Sequence, residues 1–312
     1  MTIKYSADGD TLWQRWYRLN TWGGAAYGVA TDIFGNIIVT GKTHTDSTDD
    51  DYCTVKYSPE GDVIWLRTLS TDSLGMGEAH SVAVDSKGNI IVTGTSQFPP
   101  AVTSSPDYLT IKYDSAGTLL WMRVYNYAYE DMARSVTVDD SDNIIVTGYS
   151  TDSSQYYNWD WCTIKYRPNG DTVWAHREDV GRDDRAYSVT VDRYSNGVLV
   201  AGGLGTDGTI VKYDGTTGRE IWRRSFNWVG LIVGISTDNN HNIYFTSLYT
   251  PPGSWFGDFL VMKCDSFGDS LWATTYDGGY DDGTRGIVVD KFGSVIVFGA
   301  SMDGYPGSQP PE

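Results

Sequence analysis

Six positions that occupy the same place in a repeated sequence carry Tyr27, His80, Arg134, Tyr187, Val233 and Arg285. Five of the six side chains can donate hydrogen bonds, hold charge or exchange a proton, and their identity changes from copy to copy. Two arginines suit bidentate capture of a carboxylate, and His80 with Tyr27 or Tyr187 supplies the types needed for a general base and acid. Such a set suits β-elimination of a uronic-acid polysaccharide, where arginine neutralises the carboxylate and His or Tyr removes the neighbouring proton. The competing account is structural: arginine–acid pairs and tyrosine hydroxyls closing the top of a channel. Glu78, Glu130, Asp131, Asp183, Asp184, Asp281 and Asp282 precede several of these positions and supply the acids.

A second group is aromatic. Trp22, Trp159, Trp161, Trp228 and Trp255 fall in segments that read as long loops, with Tyr129 and the acids Asp131 and Asp184 nearby. Exposed aromatic patches mark binding surfaces, and flat rings beside Asp suit the faces and hydroxyls of sugars. The alternative is that these loops fold over one another and bury their own rings.

Metal and cofactor chemistry has less to stand on, and no cofactor is expected. Asp49-Asp50-Asp51 and Asp281-Asp282 offer hard oxygen ligands for calcium, but neither matches an EF-hand loop, and a solvated acidic loop accounts for both. Cys53, Cys162 and Cys264 lack the spacing of a zinc or redox motif and read as buried thiols. His44, His176 and His241 lie in separate copies without metal spacing.

The elements that position these residues come from a strong internal repeat. GNIIVTG at Gly35 returns at Gly88 and, as DNIIVTG, at Asp142; NGVLVAG at Asn196, HNIYFTS at His241 and GSVIVFG at Gly293 are looser copies. An apolar-Lys-Tyr motif recurs at Lys4, Lys56, Lys112, Lys165, Lys212 and Lys263, with Cys264 replacing the last Tyr. Trp13, Trp65, Trp121, Trp174, Trp222 and Trp272 follow, and Asp32, Asp85, Asp139, Asp192, Asp238 and Asp290 end each first strand. Residues present in every copy serve the scaffold. The tryptophans fill wedges between units, and the aspartates cap turns.

Each copy of about 50 residues reads as four short antiparallel strands rich in β-branched and aromatic residues, joined by Gly, Asn, Asp and Ser turns. Four strands repeated radially predict an all-β fold: a single six-bladed β-propeller over 1–301. Its closing blade is shared between N-terminal strands three and four and C-terminal strands one and two, with a tail at 302–312 leading back to the N-terminal strand. The tight turns lie on one rim. The long connections lie on the other, where function is expected.

The motifs A-x-S-V-x-V-D, GNIIVTG, Lys-Tyr and G-x-x-x-W resemble the SBBP β-propeller repeat family over nearly the whole chain. The resemblance implies a part of a large secreted or cell-surface protein with no assigned chemistry. That family is named for seven blades, whereas six copies are counted here. The ending YDGTTGREIW at Trp222 is similar to quinoprotein dehydrogenases, but only there.

With 40 acidic against 23 basic residues the net charge is −17, which argues against a nucleic-acid partner. No apolar run spans a membrane, and MTIKYSADGD does not read as a signal peptide. The expected role is recognition of a polysaccharide or protein ligand by a monomeric, extracellular or surface-attached module, with the cytoplasm left open. The alternatives are a polysaccharide lyase or glycoside hydrolase using His80, Tyr27, Tyr187, Arg134 and Arg285, or an architectural module without ligand.

Overall fold

The computed structural model describes residues 1–16, 23–44, 50–69, 77–97, 105–127, 129–151, 158–179, 183–251, 257–279 and 282–301. The tail 302–312 therefore lies outside the described residues, among which are 24 strands and no helix. β1 (Thr2–Tyr5) and β2 (Thr11–Arg15) form a two-stranded sheet. β3 (Gly24–Thr31), β4 (Ile37–His44), β5 (Asp50–Tyr57) and β6 (Val63–Leu69) form a four-stranded one, as do β7 (Gly77–Val84), β8 (Ile90–Ser96), β9 (Asp107–Tyr113) and β10 (Leu119–Tyr125). The next sheets are β11 (Asp131–Val138) to β14 (Thr172–Glu178), through β12 (Ile144–Thr151) and β13 (Trp159–Tyr166), and β15 (Asp184–Asp192), β16 (Gly197–Leu204), β17 (Asp207–Asp214) and β18 (Glu220–Phe226). β19 (Ile232–Thr237), β20 (Ile243–Tyr249), β21 (Asp258–Cys264) and β22 (Ser270–Tyr276) follow, and β23 (Asp282–Val289) pairs with β24 (Val295–Ser301).

Every four-stranded sheet is a meander in chain order, so the repeat of four strands read from the sequence is the unit that forms. The chain divides into two compact units, Met1–Tyr157 with Ile164–Val173 and Asn158–Thr163 with Trp174–Glu312. The first has a core around Ile38, Val82, Ile90, Val92, Leu109 and Ile111. The second is built around Leu199, Ile210, Ile232, Phe245, Leu260 and Met262. Cys53, Cys162 and Cys264 are free and buried, as their spacing predicts, and burial pushes the Cys53 and Cys264 thiols up to about 12.

The repeated polar residues are ties within and between sheets. Asp85 closes its turn by accepting Lys87 N–H and Asn89 N–H on Oδ1 (3.0 and 2.9 Å) and the Asn89 amide on Oδ2 (2.8 Å). The same carboxylate pairs with Lys112 at 2.8 Å, and Lys56–Asp32, Lys165–Asp139 and Lys212–Asp192 repeat the pair at 2.6 to 2.9 Å. In β21 Lys263 stands 3.9 Å from Asp238, and the Tyr244 hydroxyl donates to that carboxylate instead, at 3.0 Å.

Between neighbouring sheets of the first unit, lysine and tryptophan converge on one carbonyl. Lys4 and Trp13 donate to Pro59 O, Lys56 and Trp65 to Ser115 O, and Lys112 and Trp121 to Pro168 O, all at 2.8 to 3.2 Å. Arg15, Arg67 and Arg123 lie over the same indoles and donate to Gly61 O, Gly117 O and Gly170 O. An indole buried this way brings large apolar area and a satisfied N–H together, which is why tryptophan recurs here. Lys, Trp and Asp of the repeat are therefore scaffold.

Candidate functional site

The six aligned positions have a structural cause. Ala79 pairs with Gly94 and Ser81 with Thr93, so His80 is an extra residue on β7 with no partner of its own on β8. The same one-residue shift leaves Tyr27 between Ala26 and Gly28, Arg134 between Ala133 and Ser135, and Tyr187 between Ala186 and Ser188. Val233 and Arg285 are the bulged residues of β19 and β23. A β-bulge frees one side chain from the ladder and re-aims it.

The motif glycine makes room for the bulge. A Cβ on Gly41, Gly94, Gly148, Gly202 or Gly299 would fall 1.9 to 2.2 Å from a carbonyl oxygen of the facing first strand, far inside van der Waals contact. In β20 that position is Ser247, whose hydroxyl donates to Leu231 O at 3.0 Å; β19 starts only at Ile232 and is the shortest of the six first strands.

In the first unit three consecutive bulges are linked. The Tyr27 and His80 rings meet edge-on at 5.8 Å. His80 Nδ1 lies 2.8 Å from Ala133 O, next in the chain to Arg134, and Nε2 lies 3.2 Å from Glu78 Oε2. Lys42 bridges Glu78 (2.5 Å) and Asp50 (2.9 Å), and His44 joins Asp50 at 3.0 Å. The hydrogen bond from His80 holds the Glu78 carboxyl down to about 2, with Lys42 adding to it against burial. Burial and the Glu78 charge push the Tyr27 hydroxyl up. Arg134 donates from Nε to the Tyr149 hydroxyl at 3.1 Å and from Nη2 to the same oxygen, its guanidinium stacked 5.1 Å from that ring.

This geometry favours donation over proton abstraction. Both nitrogens of His80 face acceptors, and the raised Tyr27 hydroxyl keeps its proton, so each is set to give a hydrogen bond. In the second unit Tyr187 is half-buried on β15 and Arg285 exposed on β23.

The aromatic and acidic residues separate differently from the sequence reading. Trp161 lies in β13, not in a loop; it is 1% exposed and donates to Gly203 O at 2.7 Å, so it is core. Trp159 opens the same strand, half-buried under the Arg185 guanidinium at 5.5 Å. Trp228 is exposed and edge-on to Tyr249 at 6.1 Å, and Tyr127 and Tyr129 are exposed. Asp131 and Asp184 are fully buried, not a surface: Asp131 accepts Tyr127 N–H and Asp184 accepts Gly205 N–H, each at 2.8 Å. Trp22, Trp255, Asp49 and Asp281 lie outside the described residues. Sequence reasoning missed Lys42, whose place directly after the bulge-facing glycine was the available signal.

No family model matches the chain. A curated relative, an uncharacterized WD repeat-containing protein of Acanthamoeba polyphaga mimivirus, is 28% identical over 138 residues, 39% of this chain; the match spans only 9% of that protein's length. Among solved structures, hydrazine synthase of Kuenenia stuttgartiensis superposes over 90% of this chain and 76% of its own, at TM-score 0.63 and 10% identity. The Dos1 propeller covers 95% and 67% at TM-score 0.57 and 11% identity. The WD40 domain of Neurospora crassa Pan2 covers 85% and 69% at 0.54 and 13%. These likenesses show the fold, a β-propeller repeat.

Proposed function

We propose that the chain is a recognition module that binds a polysaccharide at the bulged residues, with Tyr27, His80 and Arg134 as its centre. One observation carries this reading: on a scaffold whose Lys, Trp and Asp repeat from copy to copy, the residue freed by the bulge changes from Tyr27 to His80 to Arg134. A scaffold that repeats for packing has no packing reason to place Tyr, His and Arg at one equivalent point. The Tyr27 hydroxyl and the Arg134 guanidinium are donors of the kind that suit sugar hydroxyls and carboxylates, while His80, engaged with Ala133 O and Glu78, links their strands. The exposed rings of Tyr127, Tyr129 and Trp228 suit sugar faces.

The test is a panel of acidic and neutral polysaccharides, read by thermal stabilisation and by the ultraviolet absorbance of unsaturated products. A polysaccharide that binds is expected to raise the melting temperature by mass action without absorbance change, and Tyr27→Ala to weaken that binding about tenfold. Stabilisation with accumulating unsaturated product makes the protein a lyase. No response to any polysaccharide removes the glycan reading.

We also infer that the six copies of the repeat make six blades; the 24 strands among the described residues, four to a copy, support it.

A further inference from the structure

One site recurs at the start of the third strand in three copies. Asp258, Asp277 and Asp282 place carboxylate oxygens within 4.8 Å of one another, and Asp160, Asp179 and Asp184 do the same. Asp107, Asn126 and Asp131 occupy the equivalent positions in a third copy. In each triad the first and last residues are buried. Like charges held this close in a low-dielectric setting need a compensating charge or donor.

The copies meet that need differently. At the third site Asn126 replaces the central acid and its amide donates to Asp107 Oδ2 at 3.1 Å. At the second, Arg177 pairs with Asp160. At the first, the residue equivalent to Arg177 is Thr275, and among the described residues no lysine or arginine pairs with Asp258, Asp277 or Asp282. Asp282 is 1% exposed; its Oδ2 accepts Gly278 N–H at 2.6 Å, while its Oδ1 is buried with no hydrogen-bond partner. The backbone leaves a cradle: a Cβ on Gly278 would sit 2.9 Å from Asp282 Oδ1 and 2.6 Å from Ser301 Oγ.

We propose that Asp258, Asp277 and Asp282 bind a calcium ion, with the unpaired Oδ1 of Asp282 as a ligand. Hard carboxylate oxygens suit calcium, which accepts a flexible shell of mixed oxygen ligands at about 2.3–2.6 Å. Magnesium demands near-ideal octahedral order and gives up its waters reluctantly, so a cluster of three carboxylates with one exposed member suits it less. Asp277 is exposed, so it can enter or leave the coordination shell without disturbing the sheet.

The test is calorimetric titration of the full chain, stripped with EDTA, with calcium chloride and separately with magnesium chloride, alongside thermal unfolding. Calcium is expected to bind with Kd at or below ~1 mM and to raise the melting temperature. Asp277→Asn, which imitates the Asn126 copy at an exposed position, should weaken calcium binding at least tenfold and leave the metal-free melting temperature within a few degrees of wild type. Asp179→Asn should leave calcium binding unchanged. No heat or stabilisation at ~10 mM calcium, wild-type affinity in Asp277→Asn, or binding lost with Asp179 instead would overturn the site. Equal affinity for magnesium would overturn the choice of ion.

Discussion

Lys112 and Asp85 expose 2% and 1% of their side chains, and their pairing, with the Asn89 amide on Asp85 and the Pro168 carbonyl on Lys112, offsets the desolvation that each carries. Burial works to raise the Asp85 carboxyl, but Lys112 and the Asn89 amide outweigh it and hold it below the usual carboxylate range. Asp107 shows the opposite balance: burial pushes it up to about 6, and the Asn126 amide offsets only part of that. An unfolded aspartate titrates near 3.9, so between about pH 4 and 6 the folded chain holds a proton that the unfolded chain has released. Stability from this group is thus present below pH ~4 and lost as pH rises through about 6. Asp107→Asn removes the titration. It should gain up to roughly 2 kcal/mol relative to wild type on going from pH 4 to pH 7, read from denaturant unfolding at both values. An unchanged difference between the two pH values would show that Asp107 is ordinary. Lys112 was legible in the sequence as a repeated residue, but the burial of Asp107 was not. The acid triads escaped notice because their members lie 5 to 24 residues apart, and only the strand register brings them together.

At the scale of the strand, the glycine ending GNIIVTG and the variable residue of the facing strand are two parts of one device. The sequence displays both as aligned columns; that they meet across a ladder depends on register, which alignment does not carry. The same limit explains Trp161. β13 starts at Trp159, well ahead of the Lys-Tyr motif, and every residue from Asp160 to Tyr166 is buried, so Trp161 belongs to the core and not to a loop. Gly94→Ala tests the device. Its Cβ would lie 1.9 Å from Glu78 O, so the bulge must open or the strands must part. The expected cost is ~3 kcal/mol, measured by denaturant unfolding, together with a shifted imidazole resonance of His80. An Ala variant as stable as the parent, with His80 unmoved, would mean that the bulge does not depend on glycine.

For the whole molecule, the repeat lets the cost of losing one indole be compared with that of its counterpart. Trp13, Trp65 and Trp174 are buried where the turn of the following sheet supplies a carbonyl, as Ser115 does for Trp65. Trp272, the last of the six, is 40% exposed, so less of its surface leaves water on folding. Trp65→Ala should cost ~3–5 kcal/mol in equilibrium unfolding, and Trp272→Ala measurably less. Equal costs would mean that Trp272 is as well covered in solution as Trp65. The repeat conserves the residue type, and the environment of each copy decides what that residue contributes.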